Sequence, residues 1–547
     1  MRRTPLMYLR ASVAAALCPA FALAQTPPDA GSSLRDRQQP LTLPAPPTDP
    51  LPHVPKVNER APAANAVRVV VKRFRLTGNT VFDSDTLLPL LADLRGHELS
   101  LDELDAAADR VTAYYRKHGY LLTRAYLPAQ ESDEGEVTIK VLEGRYGAVR
   151  VQNDSHVSDW ALNAWLRDLQ HGEVIDARSL ESNLLPVDDL PGIALSTRLS
   201  PGANVGESDL TVQAASEPRV SGELAANNYG NRQTGAYLLN GELALASPLR
   251  LGDALSLNVM YSNEHELYYQ ARYDVPFPSF SATHFGVGAS RMNYELAGDF
   301  EALHANGTAN SYDVHLDQGW IRSRSFNLRS ELALEQRDLK DDMWDGQVVT
   351  RKRSRNIALE LSGDWRSDAS VDAFSLRGTR GDLQPVSSAL SPDAPQGHFE
   401  KLHAAWLHLQ RLTQRLSLYT SVQGQLAGVN LDSSERIALG GIDGVRAYPT
   451  GEASADEGLV ASMELRFQAN MAWQVKLLAD GGWARLQHTA IQGDNNYRHL
   501  SGVGAGVDWQ PTPKVMFSLT CSSRTGEAAQ SDHNERARVW GQIRWGF

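Results

Sequence analysis

Val539-Trp540-Gly541-Gln542-Ile543-Arg544-Trp545-Gly546-Phe547 alternates along its whole length. Val539, Gly541, Ile543, Trp545 and Phe547 fall on one face, and Trp540, Gln542, Arg544 and Gly546 on the other. A period of two is the signature of a strand with unlike faces. The pattern recurs upstream. Leu255, Leu257, Val259 and Tyr261 alternate with Ser256, Asn258, Met260 and Ser262. Ile357, Leu359 and Leu361 alternate with Asn356, Glu360 and Ser362, and Leu416, Leu418, Thr420 and Val422 with Ser417, Tyr419 and Gln423. Asn306-Gly307, Asp345-Gly346 and Asp443-Gly444 read as turns between such strands. Residues 216–547 hold 332 residues, room for on the order of 16 strands at about 20 residues per strand and connection. A soluble sandwich would have to bury one face of every one of them. The expectation is an all-β transmembrane barrel of about 16 antiparallel strands, with aromatics near the strand ends.

The rest of the chain fits that setting. No apolar run reaches the ~18 to 20 residues of a membrane-spanning helix, which leaves strands as the only way across. Arg2, Arg3 and Arg10, the apolar stretch Ala11 to Ala24 and the Ala22-Leu23-Ala24 site read as an export signal over 1–24. Its removal takes the net charge from −12 to −15, and so acidic a chain is no phosphate-neutralising nucleic-acid binder. Cys521 is then the sole cysteine, so no internal disulfide supports the fold. Residues 25–66 form a proline-rich linker, with a short polar helix over Ser32 to Gln39 that could plug the barrel.

Between linker and barrel the period changes. Val67, Val69, Val71, Phe74 and Leu76 read as a strand. Asp83 to Leu94 is helical in spacing but short or kinked at Pro89. Ser100 and Glu103 form a capping box ahead of a helix lined by Leu104, Ala108, Val111 and Tyr115 and ended by Gly119. Strands follow at Leu121 to Leu127 and Glu136 to Leu142. The same β-α-α-β-β order recurs as Val149 to Gln152, Ser158 to Leu169, Ala177 to Leu185, Ala194 to Leu199 and Ser208 to Val212. Two α+β units are expected, at 67–145 and 146–215.

Gly440-Gly441-Ile442-Asp443-Gly444-Val445-Arg446-Ala447-Tyr448, within a loop at about 439–458, and Leu478-Ala479-Asp480-Gly481-Gly482 complete the picture. With Gly78-Asn79-Thr80, Gly119-Tyr120 and Asp189-Leu190-Pro191-Gly192, they make the chain resemble the outer-membrane transporters of two-partner secretion. This is the haemolysin and filamentous-haemagglutinin secretion family, related to barrel insertases. The resemblance implies two periplasmic POTRA domains, a 16-stranded barrel in a Gram-negative outer membrane, and a loop folded into the lumen. It also implies that Arg446 pairs with Asp480. The family's Val-Arg-Gly-Tyr has Ala447 in place of glycine here, so the loop tip either uses an ordinary dihedral at that position or is somewhat altered. Terminal Phe547 resembles the family's barrel signal.

The function so implied is ATP-free secretion of an unfolded, β-helical exoprotein of adhesin or haemolysin type, with activation of a haemolysin as a further outcome. The implied surroundings are outer-membrane lipids, the barrel-assembly machinery during biogenesis, and a monomeric state. A barrel insertase and a passive solute channel are the alternatives. Gly502-Val503-Gly504-Ala505-Gly506 lacks the spacing and helix of a nucleotide loop and reads as small residues in a curved strand. Tyr268 and Tyr269 read as girdle aromatics. The 15 histidines show no His-x-x-x-His pattern. No catalytic, cofactor-binding or metal residue is assigned.

Overall fold

The computed structural model describes residues 27–37, 40–44, 50–52, 68–131, 134–277, 282–386, 395–490 and 495–547. The expected signal segment and most of the proline-rich linker lie outside the described residues.

Sixteen antiparallel strands, from Val220–Asn227 to Ala537–Gly546, close into a barrel in which each strand pairs with its sequence neighbour. Closure runs from Gln542↔Asn227 to Gly546↔Glu223. Phe547 then exchanges backbone hydrogen bonds with Gly222, at 3.0 and 3.2 Å. A Cβ at 222 would run into its ring. A closed barrel leaves no unpaired edge, the condition for strands to sit in lipid. Leu257, Val259, Tyr261, Ile357, Leu359 and Leu361 are exposed on the outer wall, while Met260, Ser262 and Ser362 are buried inside. At the end that carries the N-terminal units, Trp473 stacks on Trp509, Trp509 on Phe517, and Trp545 lies against Phe547. These rings form an interfacial aromatic belt.

Three local readings need correction. Asn306-Gly307 is not a turn but opens the strand Asn306–Arg322. The chain reverses earlier, through the 3-10 turn Gly298–Leu303 and left-handed His304. Asp443-Gly444 lies inside the lumen loop and separates no neighbouring strands. Of the tyrosine pair, only Tyr269 faces outward; Tyr268 packs against a cluster inside the barrel, as a period of two requires of adjacent residues.

The first α+β unit runs Arg73–Thr77, Ser84–Leu87, Leu101–Lys117, Arg124–Tyr126 and Glu136–Leu142. The short helix continues as a 3-10 turn, Leu88–Leu94, with Pro89 near its start. Ser100 and Glu103 form the reciprocal capping box. The central strand Glu136–Leu142 pairs parallel with Arg73–Thr77 and antiparallel with Arg124–Tyr126. The second unit runs Arg145–Asn153, Asp159–Trp165, Ala177–Asp188, Ile193–Pro201 and Glu207–Ser216, with the same sheet order. Its first helix stops at Trp165, short of Leu169, because Leu166 and Leu169 turn into the core.

The linker helix is Ala30–Arg35 rather than Ser32 to Gln39. Asp29 sets its start by capping Ser32 N–H, at 2.8 Å, while Ser32 Oγ accepts from Asp29 N–H. Ala30 and Leu34 pack inside the barrel against Met292, Tyr294, Ala309 and Leu339.

Candidate functional site: the lumen loop and its wall

The connection between strands Leu416–Ala427 and Glu457–Gln468 folds back into the barrel. Its apolar residues Ile437, Leu439, Val445, Ala447, Tyr448 and Ala455 pack on Val460, Ala484 and Leu500 of the wall. Val445 N–H bonds to Leu439 O at 2.7 Å, and Leu439 and Gly440 N–H both reach Glu452 O at 3.1 Å. Gly441 sits at φ 116°, which a side chain would strain. Ala447 is not among the positive-φ residues, so the alanine meets no backbone penalty.

Leu478, Asp480 and Gly482 share the inward face of Trp473–Arg485, since every second residue points the same way. Asp480 receives three hydrogen bonds from Arg446: backbone N–H at 3.1 Å and Nε at 2.9 Å on Oδ2, and Nη2 at 2.6 Å on Oδ1. The other guanidinium bonds go to Glu464 and Ser462. Arg466 holds the far side of Glu464 at 2.7 Å and stacks over the Tyr419 ring. Trp540 Nε1 donates to Arg446 O at 2.7 Å, and Tyr448 OH to Glu527 O. Both Arg446 and Asp480 are buried. A buried charge is tolerable only when paired and fully hydrogen-bonded, and this one is.

Glycines on the wall make room for the loop. A Cβ at Gly482 would stand 3.1 Å from Leu439 and Val445, and one at Gly502 would stand 2.5 Å from Ala447 Cβ. Within the Gly-rich stretch 502–506, Gly502 makes room for the loop, while Gly504 and Gly506 lie against the neighbouring wall strands at Cys521, Ser522 and Thr520. Phe547 belongs to the barrel seam, away from this site.

The linker helix plugs into the loop's stem. Gly31 lies so close to Ser433 and Ser434 that no side chain fits. Ser433 Oγ donates to Asp29 at 2.7 Å, and Arg35 Nη1 to Ser454 Oγ at 2.6 Å. Lys352 of the wall faces both Asp432, at 2.6 Å, and Asp29, at 3.6 Å.

Two further joints position the α+β units. Glu143 follows the central strand of the first unit and is buried. It accepts from Thr80 N–H, Thr80 Oγ1, Val81 N–H and Tyr115 OH. Burial opposes its charge, but these bonds outweigh that and hold the carboxyl below its usual range; burial and the same carboxylate push the Tyr115 phenol up. Arg145 of the second unit reaches Glu143 and Thr80, so Gly78-Asn79-Thr80 lies at the joint between units. Asp189-Leu190-Pro191-Gly192 docks the second unit on the barrel. Asp189 meets Arg322 in a two-point contact, Pro191 O accepts from Ser247 Oγ, and Leu190 fills the space under Gly252.

Sequence reasoning missed Glu143, Glu464 and Trp540. Glu464 carried a signal: Ser462, Glu464 and Arg466 form a polar inward row opposite Leu478 and Asp480. Glu143 and Trp540 carried none.

A closed barrel with a buried, charge-pinned lumen loop and periplasmic α+β units defines an outer-membrane protein-secretion transporter. Residues 206–509 match the family described as haemolysin secretion/activation protein ShlB/FhaC/HecB, and 69–144 match the ShlB-type POTRA domain. The chain belongs to this family of two-partner secretion transporters and secretes a partner protein across the outer membrane, with its POTRA region in the periplasm. It is 30% identical over 441 residues to the heme/hemopexin transporter protein HuxB of Haemophilus influenzae, covering 78% of each chain. It is 21% identical over 439 residues to the outer membrane transporter CdiB of Dickeya dadantii, covering 78% and 76%. The solved structure of CdiB from Escherichia coli superposes with a TM-score of 0.72 at 21% identity, covering 94% of this chain and 95% of that one.

Proposed function

We propose that residues 67–145 and 146–215 act as two POTRA domains that capture one dedicated, unfolded exoprotein and feed it into residues 216–547. Each sheet has an edge strand, Arg73–Thr77 in the first unit and Arg145–Asn153 in the second, the latter bonded at its start, Arg145 and Tyr146, by the 172–174 segment. An extended client adds to such an edge through main-chain hydrogen bonds, with side-chain pockets selecting the sequence. The exoprotein is of the β-helical adhesin or haemolysin type, whose folding outside draws the chain through without ATP. Heme or hemopexin, for which the relative HuxB is named a transporter, is the binding activity to test first in the client.

Arg446 is the positioning residue of the conduit. The carrying observation is its burial in the lumen with every guanidinium nitrogen on a wall acceptor. Gly440, Gly441, Val445, Ala447 and Tyr448 shape the loop around it, and Leu478, Asp480 and Gly482 receive it. Lipids and the barrel-assembly machinery are the remaining partners, and a single chain suffices for the conduit.

Photocrosslinking from Arg150 and from Arg75 in the full chain, in cells that export the client, tests the capture step. A client adduct at either edge is the expected result. Adducts with many nascent outer-membrane barrels would instead make the chain an insertase. Removal of 67–145 should abolish capture and leave a pore.

A further inference from the structure

Three neighbouring wall strands, Leu267–Phe277, Thr283–Glu295 and Asn306–Arg322, bring a set of metal-ligating side chains together inside the barrel. Register places Asp274, Gly286 and His315 in one cross-strand row and Pro276, His284 and Asp317 in the next. The intervening residues Phe285, Val287, Val314 and Leu316 are exposed on the outer wall, so both rows face the lumen. They stand near the Phe277 end of these strands, on the side where Arg322 meets Asp189.

His315 is the centre of the cluster. Its Nδ1 meets Asp313 Oδ2 at 2.8 Å, its Nε2 meets Asp274 Oδ1 at 2.7 Å, and its side chain is 1% exposed. One ligand atom each from Asp274, His315 and Asp317 lies within 4.8 Å of the others. The imidazole lies across the wall only because residue 286 is glycine; a Cβ there would overlap Nε2 and Cε1. A carboxylate on one ring nitrogen, with the other nitrogen turned to acidic side chains, is how proteins orient a metal-binding histidine.

Charge argues the same way. Arg272 faces Asp274, Asp317 and Glu331, at 3.2, 3.6 and 3.7 Å. Arg377 reaches Glu331 but is shared with Glu360. Five carboxylates, Asp274, Asp313, Asp317, Glu331 and Glu360, thus stand against two arginines and His315. A divalent ion supplies the balancing positive charge, and imidazole with carboxylates suits zinc and its first-row neighbours.

We propose that Asp274, His315 and Asp317 form a zinc-class divalent metal site on the lumen wall at the barrel's periplasmic mouth. Asp313 orients the histidine, and His284 is the direct cross-strand neighbour of Asp317. The ligands come from two strands 41 residues apart, which is why no local spacing in the sequence announces them. An ion there ties Leu267–Phe277 to Asn306–Arg322 across the strand between them, at the barrel's periplasmic mouth.

The test is zinc titration of the untagged, chelator-treated full chain in detergent, by calorimetry, with conductance in planar bilayers as the second readout. Wild type should bind one zinc ion, and zinc on the periplasmic side should lower conductance. His315→Ala and Asp317→Asn should each abolish both effects, and Asp313→Asn should weaken binding by about tenfold or more. Heat-modifiable migration on gels checks that each variant is a folded barrel. Should His315→Ala not fold, Asp317→Asn and His315→Gln carry the test. Unchanged zinc binding in these variants, or no binding by wild type at submillimolar zinc, would overturn the proposal. The cluster would then be an ion network in which His315 donates from Nδ1 to Asp313 and from Nε2 to Asp274.

Discussion

Ala447 Cβ lies 2.5 Å from the point where a Cβ on Gly502 would stand. The wall glycine and the loop alanine share one space, and only one of them can carry a methyl group. Gly502→Ala should therefore lift the loop from the wall, at a cost of about 1–3 kcal/mol for an overpacked contact. Secretion should fall and protease cleavage within 439–458 should rise. Ala447→Gly in the same chain should restore both. A double variant no better than Gly502→Ala would contradict the shared-space account.

Arg446→Ala leaves Asp480 and Glu464 buried without their partner. Breaking a buried pair from one side costs about 3–5 kcal/mol. The barrel's own strand pairs do not depend on it, so the expected outcome is lost secretion with normal insertion and heat-modifiable migration. Arg446→Lys should rescue poorly, because an ammonium cannot serve Asp480, Glu464 and Ser462 in one plane.

The linker helix should gate conductance. Gly31 admits no side chain against Ser433 and Ser434, so Gly31→Leu should unseat the helix. The check is single-channel recording, in which larger or more frequent openings are expected. Conductance equal to wild type would mean that the helix does not obstruct the lumen.

Glu143 predicts an acid limit for the joint between the periplasmic units. Its pKa is depressed in the folded chain. Its contribution is thus fully present above its unfolded pKa of about 4.3. It is lost as pH falls through the lower folded value. Hydrogen exchange at residues 78–82 and 145 should quicken in that acid window in wild type. In Glu143→Gln exchange there should be fast already at neutral pH, since removing a buried charged acceptor costs about 1.5–3 kcal/mol. A flat pH response in wild type would contradict the assignment.

Much of the architecture was legible because both periods of the chain are physical. Leu257, Val259 and Tyr261 point to lipid, while Leu104, Ala108, Val111 and Tyr115 line one helix face, and Ser100 with Glu103 fixes the start of that helix. What local pattern could not supply was contact between distant strands. Asn306-Gly307 has the composition of a hairpin turn, yet the strand runs through it because Gly307 lies beneath the Tyr294 ring. The linker helix began two residues early because Asp29 found Ser32 as its capping partner. Arg446 and Asp480 came from resemblance; Glu464 sat in the legible polar row of Ser462 and Arg466, but its pairing with Arg446, like that of Trp540, required the folded loop.

The most direct test of the central claim compares proteins in the growth medium of the native strain with those of a strain lacking this chain. Loss of one large exported protein from the medium, restored by the wild-type chain and not by Arg446→Ala, with other outer-membrane barrels unchanged, is the predicted result. An unchanged medium, or a general fall in outer-membrane barrels, would contradict it.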